Sequence, residues 1–144
     1  METEFVVNPE EIAVTCQEKL HPRALLGLEM FNAGEYFEAH EELELAWRVE
    51  PRPGRELYRG ILQVAVAYYH ILRGNYRGAV KMFNRSRIWL RPFPDHCRGI
   101  DLAGFRQDFN RVEAALLAGG PENLARINRG MMRPIHYQHN EGTL

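Results

Sequence analysis

The chain has 144 residues, of which 45% are hydrophobic and 26% charged, enough for one hydrophobic core in one domain spanning 1–144. A formal net charge of -1 and a pI of 6.6 provide no global field for nucleic acid or an anionic membrane, so either role needs a local patch. The longest apolar stretch, residues 61–72, is too short to span a bilayer, and Gln63 and His70 interrupt it. The opening residues carry acids and no base, so no secretory leader is expected. Cys16 and Cys97 match no zinc spacing and form no disulfide framework, which favours a reducing cytoplasm.

Strand signals are nearly absent and the punctuation predicts an all-α protein. Asn8, Pro9, Glu10 and Glu11 supply an N-cap, a first-turn proline and dipole-favouring acids for a helix over 9–20. Pro22 restarts the chain into a helix carrying Leu25, Leu26, Leu28 and Phe31, which ends at Gly34. A helix over 36–49 is stopped by Pro51 and Pro53. Residues 55–73 carry apolar side chains all round the cylinder, which belongs at the centre of a bundle. After the Gly74-Asn75 turn a helix over 76–90 runs to Pro92 and Pro94, and Asp101 caps another that ends at Gly119-Gly120. Residues 121–131 read as a last short helix, and 1–8 and 133–144 as flexible ends.

One motif occurs twice: Gly34-x-Tyr36-x-x-Ala39 and Gly74-x-Tyr76-x-x-Ala79 are separated by 74 − 34 = 40 residues. Leu43 corresponds to Phe83, Ala46 to Ser86 and Gly27 to Ala67. The spacing resembles the tetratricopeptide pattern, but two copies are too few for a solenoid. The expected fold is therefore a compact bundle of five or six helices containing two tetratricopeptide-like hairpins.

A closer resemblance rests on Phe31-Asn-x-Gly34-x-Tyr36-Phe37-Glu38-Ala39-His40-Glu41-x-Leu43-Glu44-x-x-Trp47. It continues through Gly60-Ile61-Leu62-Gln63-x-Ala65-Val66-Ala67-x-Tyr69-His70-x-x-Arg73-Gly74-Asn75-x-x-Gly78-Ala79. Residues 31–79 resemble the bacterial and archaeal family called domain of unknown function 309. The resemblance implies a small all-helical fold and a signature at His40, Glu41, Glu44, Trp47, Gln63, His70 and Asn75. It implies no activity.

His40 and Glu44 stand four apart, on a helical face that also carries core positions. Gln63 and His70, seven apart, share one face of the central helix, and burial without partners would be costly. Since the two helices are expected to be antiparallel neighbours, a His40, Glu44, Gln63 and His70 cluster is foreseen. A carboxylate beside two imidazoles suits a divalent metal or a general base, whereas the plainer reading is a hydrogen-bond network that docks the hairpins. His40-Glu41-Glu42-Leu43-Glu44 approaches the H-E-x-x-H zinc motif, with Glu44 in place of the second histidine and His70 needed as a third ligand. Ser86 lacks a nucleophile-elbow setting, Cys97 beside His96 reads as an incidental loop thiol, and no phosphate-binding glycine loop occurs. His136 and His139, three apart, suit either a metal on a helix or a plain polar tail.

Residues 35–50 hold six glutamates against Arg48 alone, while Arg73, Arg77, Lys81, Arg85, Arg87 and Arg91 stand with no acid between them. RNA or phosphate binding through the 73–91 stripe is an alternative. The plainer reading is a solvated face, its charge compensated within the bundle or across a homodimer. Trp47 and Trp89 end equivalent helices and read as bundle-closing core residues.

The sequence thus favours a cytoplasmic, non-enzymatic binding or scaffold protein. It recognises a small ligand or a protein through a groove near His40, Glu44, Trp47 and His70. The competing class is a metal-dependent, hydrolase-like enzyme using His40, Glu44 and His70.

Overall fold

The computed structural model describes residues 8–138. Its helices are α1 (Pro9–Cys16), α2 (Pro22–Asn32), α3 (Tyr36–Val49), α4 (Gly54–Leu72), α5 (Tyr76–Leu90) and α6 (Leu102–Gly119). A two-residue antiparallel pair, β1 (His96–Cys97) and β2 (Ile100–Asp101), precedes α6, and 3-10 turns at Pro121–Arg126 and Arg129–Met131 follow it. The all-α expectation is met, and the boundaries of α2 to α6 fall within two residues of those expected. α1 stops at Cys16 rather than residue 20, and the last short helix is two separate 3-10 turns.

Side chains cap these helices by accepting from first-turn amides: Asn8 from Glu10, Asn75 from Gly78 and Asp101 from Gly104. The imidazole of His21 does the same for Arg23 at 3.0 Å, which a reading of His21 as a plain restart of the chain misses. Both repeat turns close alike. Gly34 and Gly74 have φ of 83° and 80°, the left-handed region that glycine enters without penalty. The amide after each glycine donates back to the carbonyl five residues earlier, Glu35 to Met30 and Asn75 to His70, a Schellman ending used twice.

α4 is the axis of the molecule, with α3 on one flank and α5 on the other. Phe37 meets Tyr69 near one end of the α3–α4 pair and Trp47 meets Arg55 at the other, so the two run antiparallel. α5 is likewise antiparallel to α4, since Asn75 meets His70 and Trp89 meets Arg59. α3 and α5 therefore run parallel across the face of α4. Close approach of α4 and α5 depends on Gly60, where an added Cβ would lie 2.4 Å from Leu90 Cγ. Beneath them Phe31, Tyr36, Tyr68, Phe83, Phe105 and Phe109 form a contiguous aromatic core, with neighbouring ring centroids 5.1–6.2 Å apart.

Three expectations are corrected here. Cys16 and Cys97 form a disulfide that ties the end of α1 to β1 across 81 residues of sequence. Beside it Arg98, whose side chain is 1% exposed, donates five hydrogen bonds: two to Thr15 and one each to Tyr58, Glu18 and Glu50. Gly54 leaves room for this guanidinium, because a Cβ there would stand 2.6 Å from Arg98 Nη2. Second, residues 133–138 are docked rather than free. Ile135 is buried and exchanges two hydrogen bonds with Asn32, and Tyr137 bridges to Ile100. His139 and the rest of the expected tail lie outside the described residues, as do residues 1–7. Third, within one chain the acidic α3 and the basic α5 form no ion pair with each other among the described residues. Glu42, Glu44 and Glu50 pair with Arg23, Arg48 and Arg98, whereas among the described residues Arg77, Lys81 and Arg85 have no ion pair. No described helix is long and apolar enough to cross a membrane.

Candidate groove over the central helix

The expected site residues are spread over three elements: His40, Glu41, Glu44 and Trp47 on α3, Gln63 and His70 on α4, and Asn75 at the start of α5. His40 and Glu44 stack as helical spacing requires, with His40 Nε2 3.3 Å from Glu44 Oε1. The second carboxylate oxygen of Glu44 accepts from Arg48 at 2.8 Å. Together with Glu41, Glu42 and Leu45 these residues line a depression of about 360 Å³ on the outer side of α3.

His70 lies elsewhere, toward α5. Its Nδ1 is 3.3 Å from Asn75 Nδ2, while Asn75 Oδ1 caps Gly78. Burial lowers the pKa of His70 below its ordinary 6.5, which favours the neutral ring that accepts from Asn75. Gly78 permits this closure, since a Cβ there would meet both side chains within 2.8 Å. The expected metal trio of His40, Glu44 and His70 is therefore not assembled. Among the described residues no three His, Cys, Asp or Glu side chains are placed to hold a metal ion. The physical reason is the direction of two side chains: His40 turns to Glu44 on its own helix, and His70 turns to the α4–α5 connection.

The densest chemistry lies at the opposite end. Arg55 lies over the Trp47 ring at 4.6 Å, and Arg59 over the rings of both Trp47 and Trp89, at 4.9 and 4.2 Å. Cations stacked on indole faces are held electrostatically, by about 0.5–2 kcal/mol each depending on exposure. Glu56 is buried below, 3.1 Å from Arg52 and 3.5 Å from Arg59. Burial lowers the pKa of Arg59 and Glu56 opposes that shift; the guanidinium stays charged at neutral pH. The two tryptophans are thus only partly bundle-closing: Trp47 packs on the core, but its ring carries two cations.

Solvent-excluded polar atoms without a hydrogen-bond partner among the described residues are His40 Nδ1, Trp47 Nε1, Arg55 Nε, Gln63 Oε1, both Glu56 carboxylate oxygens, which have ion pairs instead, and Tyr68 Oη in the core. Each unmet atom costs roughly 1–3 kcal/mol. Phe37, 44% exposed, lies against Tyr69 and His40. The arginines escaped the sequence reading although Arg55, Arg59 and Gln63 repeat every four residues on α4. That spacing, opposite two helix-ending tryptophans, was the available signal.

Part of this region has relatives among known proteins. Residues 25–82 match the model described as "Domain of unknown function (DUF309)", bearing out the resemblance read over 31–79. An uncharacterised protein of Aquifex aeolicus (strain VF5) is 27% identical over 95 residues, covering 65% of this chain and 28% of that protein. The uncharacterised protein YpuF of Bacillus subtilis (strain 168) is 37% identical over 70 residues, covering 46% of this chain and 40% of that protein. The chain thus spans less than half the length of these curated relatives. The matched segment contains His40, Glu44, Trp47, Arg55, Arg59, Gln63, His70 and Asn75, and excludes Trp89, Arg98 and the disulfide. Over residues 25–82, the chain is similar to the DUF309 family.

Proposed function

We propose that this is a non-enzymatic binding protein whose recognition surface is the strip of α4 between α3 and α5. The observation that carries the reading is the stacking of Arg55 and Arg59 on the Trp47 and Trp89 rings, with Trp47 Nε1, Arg55 Nε and, further along α4, Gln63 Oε1 lacking hydrogen-bond partners among the described residues. A finished hydrogen-bond network that merely docks hairpins would have satisfied them, because buried polar groups are almost always paired. A bound ligand or partner completes them instead. The tetratricopeptide-like pattern of the two hairpins supports the same reading, since paired helices of that kind present a side-chain-lined face.

Stability tests it. Replacing Gln63 by Leu removes an unmet acceptor while keeping the volume, so the free protein should melt at the same temperature or about 1–3 °C higher. If Gln63→Leu instead lowers the melting temperature by about 5 °C or more, Gln63 is an architectural residue and the recognition reading falls.

A further inference from the structure

We propose that the groove's ligand presents an oxyanion, a carboxylate or a phosphate, to Arg55 beside the Trp47 ring. The inference rests on the groove being a recognition surface and adds the chemistry of what it takes.

The Arg55 guanidinium makes no hydrogen bond or ion pair with any described residue; its contact is the face of Trp47, and its Nε is solvent-excluded and unmet. A guanidinium has five donors in a planar fork and no acceptor, a shape that carboxylate and phosphate oxygens satisfy two at a time. The unmet atom beside it, Trp47 Nε1, is also a donor. Two adjacent unmet donors call for an acceptor-rich group.

The surrounding charge points the same way. The nearby carboxylate, Glu56, is engaged by Arg52 and Arg59 and has no ion pair with Arg55. On the α3 side Glu44 is held by Arg48 and His40, and Glu50 by Arg98, so neither is free to neutralise Arg55. On the α5 side Lys81 and Arg85 are exposed and have no ion pair among the described residues. An anion entering the groove meets uncompensated positive charge, partly desolvated, where its interaction is stronger than in water. A cationic ligand would meet repulsion at the same place.

The chain's two tryptophans, Trp47 and Trp89, both lie here, so intrinsic fluorescence reads this end of the groove directly. The full chain is titrated with inorganic phosphate and, separately, with succinate, at constant ionic strength. The expected result is a saturable emission change with Kd of about 1 mM or tighter for one of them, and the arm that saturates identifies phosphate or carboxylate as the source. Arg55→Gln should weaken that Kd at least about tenfold, while Arg126→Gln, the same charge change on an exposed distant arginine, leaves it unaltered. No saturable change with either anion overturns the proposal, as does an equal effect of the two variants. Should Arg55→Gln fold poorly, the Trp47 indole N–H resonance of the unaltered chain decides: it must move with the anion, and a stationary resonance overturns the assignment. The failures are separable. A negative titration with an unharmed Gln63→Leu protein removes the oxyanion and leaves the groove, whereas a destabilised Gln63→Leu protein removes the groove reading itself.

Discussion

Arg98 and Arg55 present the same functional group in opposite conditions. Arg98 is sealed by Thr15, Tyr58, Glu18 and Glu50, with every arm of its fork answered and its side chain 1% exposed. Arg55 lies half-buried on an indole, its guanidinium without a hydrogen-bond or ion-pair partner among the described residues. The closed network ties α1, the α3–α4 connection, α4 and the 96–101 hairpin into one body. The open one ties nothing further together, and that separates an arginine that builds the protein from one available to a ligand.

The contrast is sharpest in stability. Arg98→Met should cost about 3–5 kcal/mol in denaturant unfolding, since removing one partner of a buried network strands the others. Arg55→Gln should stay within about 1 kcal/mol of the unaltered protein, the value of a partly exposed cation–π contact. Equal losses would erase the distinction between the two sites. The next largest effect concerns the disulfide beside Arg98. Replacing Cys16 and Cys97 by serine frees an 81-residue loop and should cost about 2–4 kcal/mol. Little or no loss, measured by the same unfolding curve, would assign the docking of α1 to Arg98 alone.

The smallest effect is a pH dependence at the His70 end of the groove. Burial lowers the folded-state pKa of His70 below its unfolded value of 6.5, so the unfolded chain binds the proton more readily. The stability contributed by neutral His70 is therefore present above pH 6.5 and is lost as pH falls through the lower folded pKa. In His70→Gln, the decline in melting temperature between about pH 7 and pH 5 should become shallower. An unchanged slope would show that the ring bonded to Asn75 does not contribute to it.

Local signals made most of the fold legible. Asn8, Asp101, Gly34 and Gly74 act within four residues of themselves, and each sits where capping and turn geometry require. His40 and Glu44 were legible for the same reason, four residues apart on one helix. What escaped was long-range. Cys16 meets Cys97 only after four intervening helices have packed, and nothing local marks Arg98 as buried. The docked Ile135 depends on Asn32, 103 residues away. His70 failed to join His40 because a side chain on the right helix face can still turn to a nearer partner, here Asn75. The guanidinium ladder fell between these cases: its spacing on α4 was visible, but its meaning required knowing that Trp47 and Trp89 converge on Arg59.

The bridge between Cys16 and Cys97 also changes what a cut in the backbone can do. Residues 17–96 form a covalently closed loop containing all of α2 to α5, and with them both walls and the floor of the groove. A protease that nicks the connection between α3 and α4 severs the polypeptide between one wall and the floor, yet releases no fragment. The pieces part only when the disulfide is reduced as well, so oxidised and reduced samples of nicked protein differ in mass under denaturing conditions although their sequences are the same.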